Sequence, residues 1–180
     1  MPSEDKVTPF EVFISSSQRE FRRFRETLEI RINNEPFVDQ QIMRGVRIEA
    51  ARGSITSQDI REKIEQCAIY VGIFGHEESA WTFAEFHEAI ARDLPVLIYQ
   101  VIKRRRRGRP SGAATRGRRT NVQILLDEEV KFRGIRIRGP YSNEDRLEED
   151  IIRDLAFRVA DMVREAARVR KSIHKALPLM

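Results

Sequence analysis

The chain has 180 residues, of which 41% are hydrophobic and 34% charged, and a formal net charge of +5. That length suits one ordinary domain with a real core, and the composition suits a globular protein with a heavily charged surface. A single cysteine, Cys67, excludes an internal disulfide framework, and with only three scattered histidines it argues against a structural zinc site.

Residues 1–8 read as a flexible N-terminus, and Met1–Lys6 lacks the basic and apolar regions of a signal peptide. Apolar runs such as Ala68–Gly75 fall far short of the roughly 20 residues of a membrane span. A cytoplasmic protein without membrane contact is the expectation. Glu11-Val12-Phe13-Ile14-Ser15 is short, β-branched and closed by serines, which predicts a first strand. Phe21, Phe24, Leu28 and Ile32 then recur at helical spacing, so residues 18–33 should form an amphipathic helix. Ser17 with Glu20 makes a capping-box pattern at its start, and Asn33-Asn34-Glu35-Pro36 ends it. Val46-Arg47-Ile48 is the candidate second strand, followed by a turn at Ala51-Arg52-Gly53-Ser54. Thr56 with Asp59 is a second capping box, and Ile60, Ile64 and Cys67 mark the inner face of a second helix. Ala68–Phe74 is apolar on both faces, as parallel strands usually are. A third helix follows from about Ser79, and Pro95–Val101 is another buried strand.

The alternation of strand and helix predicts an α/β domain over residues 9–160: a three-layer, flavodoxin-like parallel sheet with helices on both faces. Ligands of such sheets bind beyond the carboxyl ends of the strands. Three segments meet at that edge: the Ser15-Ser16-Ser17 turn, the Glu49–Ser54 loop and Gly75–Trp81.

The positive charge is local. Lys103–Arg119 carries nine basic residues and no acidic one, and outside it 24 basic residues face 28 acidic ones. No aromatic is interleaved, so this insertion loop (103–120) would support only nonspecific, salt-sensitive contact with a polyanion; a plain surface loop is the other reading. Val122–Phe132 is a candidate short helix and Gly134–Arg138 a short edge strand. From Glu144, one apolar stripe runs through Leu147, Ile151, Leu155, Val159, Met162 and Ala166. A helix continuous to Lys175 would span roughly 45 Å, longer than a domain of this size. Its extension over 161–180 should meet solvent or another subunit, and a homo-oligomer is expected.

In the third helix, Phe83, Phe86 and Ile90 face one way on a helical wheel, toward the sheet, while Trp81, Glu85, Glu88 and Arg92 face the other. Glu88 and Arg92 read as an ordinary i,i+4 ion pair. A lone tryptophan on the polar side, near the strand edge, points to a pocket or an interface.

Ser79-Ala80-Trp81-Thr82-Phe83-Ala84-Glu85 resembles the serine-x-tryptophan-cysteine-x-x-glutamate motif of Toll/interleukin-1 receptor (TIR) domains. Glu11–Ser15 is similar to their opening strand, and Arg52-Gly53-Ser54 with the helix ending Ile64-Glu65-Gln66-Cys67 is similar to their loop and second helix. The Val12-Phe13-Ile14-Ser15-Ser16 opening and Leu147–Leu155 also resemble a TIR-related family of unknown function. The resemblance spans residues 10–101; Thr82 stands where cysteine is usual, and no proline precedes Gly53. It implies cleavage of NAD at the nicotinamide glycosidic bond, in a signalling or defence context, with Glu85 as the catalytic residue. Ser15, Ser16, Arg52, Gly53, Ser79 and Trp81 would line the substrate, without metal or cofactor.

A single carboxylate is chemically sufficient for that reaction. Glycoside cleavage passes through an oxocarbenium-like state and normally needs an acid for the leaving group. Nicotinamide in NAD is already cationic and departs neutral, so one anion near the ribose can stabilise or trap the developing charge. Trp81 would wall the site or stack on a ring, or simply pack at the helix start. Ser15 and Ser16 would contact ribose or phosphate, or serve as turn residues. Two other functions stay open: a non-catalytic self-associating module, and a nucleoside hydrolase or deoxyribosyltransferase. The latter needs a second carboxylic acid, for which Glu49 and Glu88 are the candidates.

Overall fold

The computed structural model describes residues 9–34, 43–47, 56–76, 79–102 and 135–176. In chain order these form β1 (Phe10–Ser16), α1 (Gln18–Asn34), β2 (Met43–Val46), α2 (Ser57–Glu65), β3 (Cys67–Phe74), α3 (Ala80–Ala91), β4 (Val96–Val101), β5 (Ile137–Tyr141) and α4 (Glu144–Ala176). The five strands make one sheet in the order β2-β1-β3-β4-β5, and every neighbouring pair is parallel. The chain divides into two compact units, residues 1–144 and 145–180.

Within the first unit, the period of two along β1 sorts side chains to opposite faces. Phe13 joins Ile60 and Ile64 of α2, Tyr70 of β3, and Phe86 and Ile90 of α3 in one buried cluster. Ile14 points the other way, toward the Ile32 side of α1, where Gly45 leaves room for both. Helices therefore cover both faces, giving the α/β three-layer arrangement expected from the alternation of elements. Burial of a side chain the size of Phe13, Tyr70 or Phe86, each 0% exposed, contributes about 1.5–3 kcal/mol.

The local signals account for most element ends. Thr56 caps α2 with a complete capping box, its hydroxyl accepting from Asp59 N–H while the Asp59 carboxylate accepts from Thr56 N–H. At the start of α1, Ser17 Oγ accepts from Glu20 N–H at 3.4 Å. Three boundaries differ from expectation. β2 lies at Met43–Val46 rather than Val46–Ile48, because its pairing with β1 runs from Phe10–Met43 to Phe13–Val46 and Asn33 Oδ1 accepts from Gly45 N–H. β5 lies at Ile137–Tyr141 rather than Gly134–Arg138; as an edge strand it tolerates Pro140, which has no N–H to donate. Cys67 opens β3 instead of closing α2, and there burial pushes its thiol up to about 12, so it is an inert core residue. The turn at 51–54, the basic segment 103–119 and the candidate helix 122–132 lie outside the described residues.

Gly72 sits mid-sheet with Tyr70 and Phe74 folded over it. A Cβ there would come within 2.9 Å of Ile98 Cδ1, Phe74 Cε2 and Tyr70 Cε1. Two of those atoms belong to rings locked in the core, so Gly72→Ala is expected to cost about 1–3 kcal/mol by overpacking. A shift in the urea midpoint measures it, and an unchanged midpoint would show that the rings can step aside.

α4 is a single helix of 33 residues, about 50 Å long at 1.5 Å per residue. Leu147, Ile151 and Leu155 are fully buried and Val159 is 7% exposed, while all residues from Val163 to Ser172 are exposed. No described helix is long and apolar enough to cross a membrane.

Candidate functional site

The order β2-β1-β3 means that the chain leaves β1 in one direction and returns past it in the other. Sheets of this order hold their ligands beyond the carboxyl ends of β1 and β3, where the direction reverses. Ser15 and Ser16 end β1 at that point, opposite Gly72 and Ile73 of β3. The helix that follows β3 supplies the acidic group.

α3 begins at Ser79, whose hydroxyl accepts from Thr82 N–H at 3.3 Å as an N-cap. Its buried residues are Thr82, Glu85, Phe86, Ala89 and Ile90. At about 100° per residue these fill one continuous arc, with Glu85 at one edge and Ile90 at the other. Trp81 falls just outside the arc and is 49% exposed, whereas Glu85 is 8% exposed. The expected grouping of Trp81 with Glu85 is therefore corrected: the carboxyl turns inward and the indole outward. The reason is a partner in β1. Ser15 Oγ donates to Glu85 Oε2 at 2.5 Å, and Ser15 itself is fully buried.

Burial pushes the Glu85 carboxyl up to about 7, even though the Ser15 hydroxyl and the positive charge of Arg25 both favour the anion. Arg25 is 4% exposed on the inner stripe of α1, and its Nη2 donates to Ile14 O at 3.4 Å. Tyr70, fully buried, donates to Thr82 O at 3.4 Å, and burial raises its phenol well above the ordinary range. Thr82 Oγ1 and Ser16 Oγ are buried without a hydrogen-bond partner among the described residues.

Of the residues expected around a substrate, Ser15 and Glu85 come together. Ser16 follows the strand alternation to the opposite face, Ser79 is engaged as a helix cap, and Trp81 lies on the outer surface of the first turn of α3. Arg52, Gly53 and Glu49 lie outside the described residues. Glu88 is drawn into ion pairs with Arg92 at 2.8 Å and Arg61 at 3.5 Å on the outer side of α3, so it is not a second acid beside Glu85. Two contributors were missed, Arg25 and Tyr70. Arg25 had a readable signal, since it interrupts the apolar spacing Phe21, Phe24, Leu28, Ile32 on its inner side. Tyr70 had none beyond a hydroxyl in a buried strand.

Glu20 adds a tie at the same edge. Its carboxylate accepts from His76 N–H at 3.0 Å, joining the first turn of α1 to the segment after β3, and a side chain at Gly75 would collide with it. An open cavity of about 290 Å³ lined by Ile90, Asp93, Leu94, Val96 and Ile135 lies at the far end of α3 and brings no convergent polar groups to bear.

Residues 11–156 match the family described as a domain of unknown function, DUF4062. The chain belongs to that family. No curated protein and no solved structure matches it. The match runs from β1 into α4 and so contains both Ser15 and Glu85. Among the described residues, Glu85 is a carboxyl that burial brings to proton exchange near neutrality. Such a group serves as an electrostatic or nucleophilic anion above that point and as an acid below it.

Proposed function

We propose that this DUF4062 chain hydrolyses the nicotinamide–ribose bond of NAD, with Glu85 carrying the chemistry, in a signalling or defence role. The observation that carries the reading is the buried Ser15–Glu85 pair at the β1/β3 reversal of the sheet, where ligands of this architecture bind. The resemblance of Ser79–Glu85 to the TIR motif supports it. In the reaction the C1′–N bond breaks and its electron pair stays with the nicotinamide nitrogen, which leaves neutral. The ionised Glu85 faces the cationic ribose carbon, water adds there, and one proton is released to the carboxylate and then to solvent. The Ser15 hydroxyl holds the carboxyl in place.

Incubation with NAD at high protein concentration is expected to release free nicotinamide, and Glu85→Ala should abolish the release. Because the anion is the working form, turnover should rise from pH 6 to pH 8 with its inflection near 7. Turnover unchanged in Glu85→Ala would remove the residue from the mechanism.

A non-catalytic self-associating module is the second reading, and the 8% exposure of Glu85 is what favours it. Absence of nicotinamide release from the assembled protein, with association intact, would select it. The nucleoside-hydrolase reading loses one of its two candidate acids, because Glu88 is committed to Arg61 and Arg92, and it then rests on Glu49, outside the described residues.

A further inference from the structure

We propose that the exposed half of α4 is a parallel two-stranded coiled coil between two copies of this chain. The spacing of its apolar stripe carries the inference. Leu147, Ile151 and Leu155 follow at intervals of four and are fully buried. From Val159 the intervals alternate three and four, through Met162, Ala166 and Val169, and the sequence continues the alternation at Ile173. That alternation averages 3.5 residues, the repeat of a supercoiled seam rather than of a helix lying on a globular core. It begins where burial ends: Val169 is 59% exposed and Val163, beside the seam, is 50% exposed.

The charges agree with the same geometry. With Met162 and Val169 at d and Ala166 at a, one heptad step after the buried Val159, Arg164, Arg168 and Lys171 take positions away from the seam and stay solvated. Glu165 falls at g and Arg170 at the following e, the two positions that face each other across a parallel pair. Each copy would thus offer its Glu165 to the Arg170 of its mate. The seam is also narrow and carries no aromatic between Val159 and Val169. A helix lying in a membrane surface would need a broader apolar face with Trp, Phe or Leu. A second copy is the occupant that fits.

Sedimentation velocity on the native chain, across a series from low to high micromolar concentration, tests this. A monomer–dimer equilibrium is expected, with Val169→Glu monomeric throughout; since Val169 is exposed in the single chain, the variant's circular dichroism and unfolding midpoint should match those of the native chain at concentrations low enough for the native chain to be monomeric. Glu165→Arg should weaken the dimer several-fold, and the double variant Glu165→Arg/Arg170→Glu should restore it. A native chain that stays monomeric, or a dimer indifferent to Val169→Glu, would overturn the proposal. So would a monomeric chain that cosediments with phosphatidylserine vesicles and loses them on Val169→Glu.

Discussion

Glu85→Gln is expected to unfold at a higher urea concentration than the native chain at pH 8, and to release no nicotinamide from NAD. The sign of the stability change follows from the direction of the shift. The Glu85 carboxyl titrates at about 7 in the folded chain against an ordinary value of 4.5. Below 4.5 both folded and unfolded chains hold the proton, and the group costs nothing. Between the two values the unfolded chain gives up its proton while the folded chain keeps it, and above 7 the folded chain must carry a buried anion. Its favourable contribution is thus complete at low pH and lost as pH rises through 7. At about 1.36 kcal/mol per unit, the penalty at pH 8 is on the order of 3 kcal/mol. Glutamine is neutral throughout and keeps an oxygen for the Ser15 hydroxyl. The gap between variant and native chain should therefore be wide at pH 8 and shrink toward zero near pH 4.5. Equal midpoints at pH 8 would mean that the carboxyl is better solvated than its 8% exposure implies. A variant both more stable and inactive would show the pattern of residues retained for function against stability.

Ser15→Ala should act in the opposite sense. The hydroxyl is a 2.5 Å donor to the Glu85 carboxylate, and hydrogen bonds to charged groups contribute about 1.5–3 kcal/mol. Losing it at pH 8 strands the anion in a buried setting, so a destabilisation of that size is expected there. The loss should be smaller at pH 5, where the carboxyl is protonated. The same hydroxyl also holds the carboxyl down, so its removal should move the pH midpoint of nicotinamide release upward. A variant whose midpoint stays in place, at whatever rate, would show that Ser15 does not tune the working carboxyl.

Much of the fold was legible because each element carries its own local signal. Val12, Phe13 and Ile14 make a strand that only a two-sided burial can satisfy, and they are fully buried. Thr56 and Asp59 announce the start of α2 through donors and acceptors three residues apart, which no distant contact needs to confirm. The ends of β2 and β5 were less legible, since a short edge strand takes its limits from its neighbour's register rather than from its own residues. The stripe of α4 was legible as a helix, and the change in its spacing gained meaning only where burial stopped.

The candidate site divides along the same line. The sequence by itself determined that an α/β sheet would bring the end of β1 and the start of α3 to one edge, because strand order and short connections leave little choice. It also singled out Glu85, through the resemblance of its motif. What it could not determine was the direction in which Glu85 points. The residue lies at the border of the buried arc of α3, about one helical turn from the exposed Trp81, and periodicity cannot assign a border residue to either side. Only the tertiary structure decided it, by setting the Ser15 hydroxyl where the carboxyl lands and Arg25 on the inner stripe of α1. Burial and those two partners, contributed by residues 70 and 60 positions away in the chain, set the proton affinity of Glu85, and a single helix contains none of that information.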